Sequence, residues 1–433
     1  MRKKSFCACA GGLAFFQKAA ACLMRRAHIQ AEGFTMPDAA DLAYATQSAW
    51  RISLALFLAG FATFSLLYCV QPLLPVFARH YGISPAASSL SLSLSTGFLA
   101  AAIICAAAVS EGLGRRGVMF ASMTLAALLN IAAGLAPGWH LLLLARAAEG
   151  FVLGGVPAVA MAYLAEEIPP RMLGRAMGIY VAGTAFGGMS GRVGTGILAE
   201  FFSWRIALGL AGVSGLIAAL GFIALLPPSR NFVRRPGFEP RYHLAAWAGH
   251  LRHSALPMLF AIGFLAMGAF VTLYNYAGFR LMAPPYRLSQ SELGLIFSVY
   301  VFGIAASWLA GGLADRIGRF RTLAGGICLT ALGIVLTLGP ALPLIVLGII
   351  GLTIGFFATH SVASGWVGRL AARNKGHASS LYLLAYYLGS SIAGSAGGWF
   401  WTQDGWDGVA MFTLVLLGLG FAAALRIRQV SDQ

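Results

Sequence analysis

Hydrophobic residues run in long blocks along this chain, and polar residues collect in short clusters between them. From Trp50 the blocks fall at roughly 52–76, 88–110, 118–137, 139–165, 173–200 and 205–226, and six more at roughly 254–278, 290–313, 322–340, 342–368, 377–400 and 408–426. Crossing a bilayer as helix takes about 20 residues, and the blocks have that length. The reading is an all-α integral membrane protein with twelve transmembrane helices. A polar, proline-bearing stretch, PPSRNFVRRPGFEPRYH at 227–243, divides them six and six.

The two halves resemble each other. GRAMGIYVAGTAFGGMSGRVGTGILAEFFSW (174–204) aligns with GHASSLYLLAYYLGSSIAGSAGGWFWTQDGW (376–406), so that Gly187 meets Gly389, Gly196 meets Gly398 and Trp204 meets Trp406. EGLGRRG at 111–117 meets DRIGRFR at 315–321, and YGIS at 81–84 meets YRLS at 286–289. Three matches in order, at nearly one offset, predict two six-helix bundles, 51–226 and 251–433, joined by a linker at 227–250. Such paired repeats are a known plan for transporters, with the substrate site between the halves.

Composition agrees. The chain is 59% hydrophobic and 10% charged, whereas soluble domains carry about 25% charged residues. The net charge of +16 raises nucleic acid as a partner, and the placement of the charges argues against it. The tail through Arg51, then Arg115, Arg116, Arg171, Arg175, the linker arginines, Arg316, Arg319, Arg321, Arg369, Arg373, Lys375, Arg426 and Arg428 fall on one predicted side. Only Arg79, Arg205, Arg280 and Arg287 fall on the other. The positive-inside rule then places both termini in the cytoplasm.

Residues 1–50 open with MRKKSFCACAGGLAFF, which imitates a signal peptide, but Lys18, Arg25 and Arg26 interrupt it. The segment is expected to be a poorly ordered cytoplasmic extension, with Met36 as an alternative start and a membrane-surface helix as the other reading. Cys7, Cys9 and Cys22 lie in this tail, and Cys69, Cys105 and Cys328 in predicted spans, so no disulfide is expected. No metal pattern and no cofactor motif are present.

GGLADRIGR at 311–319 closely resembles the signature loop of the major facilitator superfamily, repeated between spans two and three and spans eight and nine. Gly311, Asp315, Arg316, Gly318 and Arg319 match it. The first-half copy keeps Gly114, Arg115 and Arg116, with Glu111 where the family has Asp. In physical terms a carboxylate at a helix end can pair with an arginine and clasp neighbouring helices in one access state; the plainer reading is that these charges only fix topology. In the fourth span Arg146 and Gly150 fit a family pattern, and Glu149 stands where glutamine is common. Gly183, Gly187, Gly188 and Gly191 on the fifth span resemble the glycine-rich antiporter signature without its proline. With Gly398 these glycines are read as helix-packing positions. The resemblance is strongest to bacterial inner-membrane drug and sugar efflux permeases, and covers nearly all of the chain after residue 50.

Arg192 poses the sharpest chemical question. A charge at the bilayer centre costs from about 2.5 to above 10 kcal/mol and persists when it meets a partner or a wet cavity. Arg146 and Glu149, roughly 10 and 15 Å from one end of their span, share a helical face, and Arg192 sits roughly 13 Å from the same side. Either the three line a cavity together, where two cations and one carboxylate suit an anionic or zwitterionic group, or they form a buried network pinning two helices. Proton coupling needs a titrating group. Of the 14 acids Glu149 falls well inside a span, and His360 is the other candidate. Tyr68, Gln71, Asn275 and Tyr387 are further candidates for orienting an amphipathic ligand.

The resemblance implies a secondary transporter of the inner membrane that exports a small molecule in exchange for protons, with the lipid bilayer as a further partner and a monomer as the default expectation. A proton-coupled uptake symporter is the nearest rival, and a membrane-embedded enzyme the rival from another class. The chain shows no HExxH, no Walker loop and no nucleophile beside a charged partner.

Overall fold

The computed structural model describes residues 39–229, 232, 240–371 and 374–431. The expectations for residues 1–38, including those for Cys7, Cys9, Cys22 and Met36, lie outside the described residues. The chain divides into two units, Met1–Ala49 and Trp50–Gln433; the division falls inside the first helix, Ala39–Tyr68. All regular structure among the described residues is helical.

The first span runs Ala39–Tyr68, breaks, and resumes through Gln71–Leu73 to Leu74–Tyr81. Pro72 lacks the N–H that a continuing helix would donate, and Pro75 follows in the next turn. Spans two and three are Pro85–Leu113 and Arg115–Leu135. The fourth, Trp139–Leu153 with Pro157–Glu167, breaks at Gly154 and Gly155 ahead of Pro157. Pro170–Phe201 and Trp204–Leu225 are spans five and six. The second half runs Leu256–Met282, Gln290–Ile317, Arg319–Leu336 and Leu342–Leu370, followed by one continuous helical stretch, Lys375–Ser431.

That last stretch is two spans. Asp404 and Gly405 are non-helical within it, Gly405 at φ +57°. The rings of Phe400 and Phe412 lie 4.3 Å apart, whereas twelve residues of straight helix would separate them by about 18 Å. The chain therefore turns back at Gly405, and the described residues hold twelve spans. By length and composition alone ten segments among them qualify as membrane spans. Their number counts Lys375–Gln429 once and omits the glycine-rich fifth helix. The linker differs from its polar reading: Pro240–Leu251 is a helix that rests on the start of the eleventh span, with Trp247 Nε1 3.4 Å from Ser380 Oγ and Tyr242 Oη 2.9 Å from Asn374 Oδ1.

Serines start several spans. Ser84, Ser203 and Ser289 each accept a backbone N–H from their helix's first turn. Ser84 and Ser289 are the matched ends of YGIS and YRLS, so one cap serves both halves. Gly114 and Gly318 repeat the pattern just before the helices that start at Arg115 and Arg319. Their backbones are nearly identical, φ +93° and ψ 140° against φ +95° and ψ 147°, and positive φ favours glycine.

Glycine sets the packing of span five on span one. A Cβ on Gly183 or Gly187 would run into the backbone of Phe57 or Phe61, and one on Gly191 would lie 2.6 Å from the Ser65 carbonyl oxygen. Gly389 meets Phe264 in the same way on the repeat-related pair, spans eleven and seven. Gly188 instead leaves room for its own helix's Arg192, and Gly398 packs across the halves on Ala86 of span two.

Candidate functional site

The break in span one creates the first cluster. Carbonyls at a helix end lack their intrahelical donors, and here Leu66 and Leu67 carry such carbonyls. Arg146, from span four, donates Nη1 to Leu66 O at 3.1 Å and Nη2 to Leu67 O at 2.6 Å. Its Nε reaches Ser91 O on span two at 3.1 Å. Nη1 also meets Asn130 Oδ1 of span three at 3.2 Å and Glu149 Oε2 at 2.6 Å. Arg146 and Glu149 are both 0% exposed. One guanidinium thus ties together four helices of the first half and closes the end of a broken one. Glu149 neutralises it, while Glu149 Oε1 makes no hydrogen bond among the described residues.

Arg192 builds a separate cluster. Its Nε donates to Gln71 Oε1 at 2.6 Å and its Nη1 to Gly188 O at 2.6 Å. Its Cζ lies 4.1 Å from the ring centre of Tyr68 and 4.6 Å from that of Tyr300, with Phe297 at 5.5 Å. Cations over aromatic faces gain about 2 kcal/mol when desolvated. Gln71 Nε2 then donates to Asn275 Oδ1 at 2.7 Å. A polar chain Arg192, Gln71, Asn275 crosses from the first half to the second. Cys69 lies between the two clusters, with Sγ 3.4 Å from Asn130 Oδ1 and its carbonyl taken by Thr195. Arg146 with Glu149 and Arg192 with Gln71 therefore form two separate hydrogen-bonded clusters among the described residues.

The remaining candidates scatter around this seam. His360 Nδ1 lies 2.9 Å from Tyr382 Oη, and its ring is 4.6 Å from that of Tyr386. Tyr387 is 2% exposed, edge-on to Tyr386. Further bonds cross the halves toward the arginine-poor end. Gln290 Nε2 donates to Pro72 O at 2.5 Å, Ser291 N to Glu200 Oε2 at 2.5 Å, and Ser391 Oγ to Ser93 O at 2.7 Å. Gly196 of span five packs on Gly294 of span eight, and the repeat partner of Gly196 is Gly398, packed on span two.

At the arginine-rich end, Arg115 forms a two-pronged pair with Glu166, Nη2 to Oε1 at 2.7 Å and Nε to Oε2 at 3.3 Å, and adds Ser110 Oγ at 2.5 Å. Arg116 donates to Ile223 O at 2.7 Å. In the second half Asp315 meets Arg369 at 3.3 Å and Arg319 at 3.7 Å, largely exposed. Arg316 and Gly311 are exposed, and the Glu111 side chain lies outside the described residues. Tyr300 and Phe297 over Arg192, Asn130 beside Arg146, and Glu166 opposite Arg115 were absent from the sequence reading. Asn130 carried a signal, a lone amide in the apolar run TLAALLNIAAGL. Among the described residues no group of three or more His, Cys, Asp and Glu is placed to hold a metal ion.

The chain matches the family model of the Major Facilitator Superfamily twice, over residues 56–281 and 259–432, and it belongs to that family. It is 44% identical over 384 residues to the inner membrane transport protein YnfM of Escherichia coli strain K12, a match covering 88% of this chain and 91% of YnfM. It is also 44% identical, over 368 residues, to the uncharacterized MFS-type transporter YybF of Bacillus subtilis strain 168, with 85% and 91% covered. Among solved structures, the inward-facing, unoccupied bacterial homolog of the human lysosomal transporter Spinster superposes with a TM-score of 0.70 at 15% identity, covering 92% of this chain and 98% of that one. The protein is a multi-pass membrane transporter of this fold and not an enzyme.

Proposed function

We propose that this protein exports a small molecule across the inner membrane in exchange for protons. The first and last six spans rock on each other about the seam at Gln71 and Asn275, and residues 227–250 connect them. The observation that carries this reading is the chain Arg192, Gln71, Asn275: a buried cation hydrogen-bonded, through one amide, to the opposite half. Gln71 directly follows the break that Arg146 closes. A proton added at Glu149 Oε1 sacrifices no hydrogen bond, weakens the hold of Glu149 on Arg146, and so loosens the segment that reaches Asn275. Charge asymmetry supports placing the arginine-rich end and both termini in the cytoplasm. Both faces of the seam come from one chain, which supports a monomer as the working unit. The Arg115–Glu166 and Asp315–Arg369 pairs are read as clasps for the state in which the arginine-poor end is shut.

The test is a solute screen in inside-out vesicles with an imposed proton gradient. Exchange predicts that a transported solute dissipates the gradient. A solute whose uptake into these vesicles leaves the gradient intact contradicts proton exchange.

A further inference from the structure

Three arginines are buried among the described residues: Arg115, Arg146 and Arg192. The first two hold carboxylates, Glu166 and Glu149. Arg192 has no carboxylate partner among the described residues. Its repeat counterpart in the second half is Gly394, so the seam carries this charge once. Nη2 of Arg192 makes no hydrogen bond among the described residues, although Nε and Nη1 both do. A desolvated cation without a counter-ion is expensive, and aromatic faces offset only part of that.

The surroundings specify more. The rings of Tyr68 and Tyr300 stack on the guanidinium from the two halves. Tyr386 and Tyr387 stand edge-on, with ring centres 5.1 Å apart. None of these four tyrosine hydroxyls has a hydrogen-bond partner among the described residues, and none counts among the fully buried unpartnered oxygens. Asn275 Nδ2, buried beside Gly394, also lacks a partner. One held cation, flat aromatic faces and several idle donors thus meet at the junction of the halves.

We infer that Arg192 receives the carboxylate of an aromatic monoanion, with the ring stacked against Tyr68 and Tyr300. This rests on the transport reading above and names the substrate class for it. One unpaired cation fits one negative charge, and the remaining buried arginines are already neutralised. Tyr hydroxyls and Asn275 Nδ2 supply donors for the second carboxylate oxygen or a ring substituent. The ligand bridges the halves because Tyr68 and Tyr300 belong to different ones.

Binding is tested on the purified full chain in detergent by thermal unfolding, with sodium benzoate, benzamide and sodium chloride at equal concentration. Benzoate is expected to raise the midpoint by about 3 °C at saturation, and benzamide and chloride to leave it unmoved. Arg192→Gln is expected to abolish the benzoate shift, and Arg192→Lys to keep part of it. An equal shift with benzamide, an equal shift with chloride, or none with benzoate overturns the inference, and these three arms need no variant. Proteoliposomes separate the two claims. Benzoate that binds but is not carried sinks the transport reading alone, whereas carriage of only neutral solutes sinks the anion assignment alone.

Discussion

Gln71 donates to Asn275 at 2.7 Å across the two halves of the molecule, and the two residues stand 204 positions apart. That separation falls within the offsets of 202 to 205 at which the two halves match, so near-equivalent positions of spans one and seven meet each other. Symmetry stops there: Arg192 feeds Gln71 from one side, and Gly394 stands in its place on the other.

Coupling across that bond is measurable. Asn275→Ala leaves a buried amide donor unpaired and is expected to cost about 1–3 kcal/mol. Gln71→Ala strands Arg192 as well and is expected to cost more. In a double-mutant cycle read by thermal unfolding, the pair is expected to couple by about 1 kcal/mol. Strict additivity would show that the bond does not hold the halves together.

Arg146 and Glu149 separate a structural from a chemical role. Arg146→Ala uncaps the span-one break and leaves a buried carboxylate alone, an expected loss of about 3–5 kcal/mol and poor yield of folded protein. Glu149→Gln keeps an oxygen for Arg146, so it is expected to fold and to lose proton-driven transport. Retained proton-driven transport in Glu149→Gln would remove Glu149 from the proton path.

The fifth span supplies an internal control. Gly191→Ala places a Cβ against Ser65 at 2.6 Å and is expected to cost about 1–3 kcal/mol through overpacking. Gly194, three residues on, faces open space; Gly194→Ala is expected to be neutral or to stabilise by about 0.5–1 kcal/mol. Thermal midpoints of the two variants in one detergent decide it.

The two loops at Gly114 and Gly318 share a backbone but not a burial. Arg115→Ala breaks a two-pronged, partly buried pair, with an expected loss of about 2–3 kcal/mol. Arg369→Ala breaks a pair in which both side chains are largely exposed, with an expected loss below about 1 kcal/mol. Joint reversal, Arg115→Glu with Glu166→Arg, is expected to recover part of the first loss. Equal effects in the two halves would contradict the difference in burial.

Much of this architecture was legible because a bilayer imposes one rule on every span. Apolar length set the span boundaries within a few residues for most helices. The breaks were less visible. Pro72 was in plain view, yet only the folded chain puts Arg146 beneath the carbonyls of Leu66 and Leu67. Counting along each helix estimates the depth of Arg146, Glu149 and Arg192, but depth carries no azimuth. Rotation about the helix axis sends Arg146 into its own bundle and Arg192 to the seam. Tyr300 went unnoticed because aromatic residues in a span look alike until a cation lies beneath one. The linker helix Pro240–Leu251 was hidden by its prolines and charges, since its partner, the start of span eleven, is far away in sequence.

Alternation between the two ends is the claim on which the transport account stands. Paired spin labels measure it, in a chain whose cysteines are replaced by serine and which is held in nanodiscs. One pair, Arg79→Cys with Arg287→Cys, spans the arginine-poor end; the other, Arg175→Cys with Lys375→Cys, spans the arginine-rich end. Comparing acidic with basic buffer, the account predicts opposite changes, one distance lengthening as the other shortens. Distances that stay fixed together, or lengthen together, would contradict it.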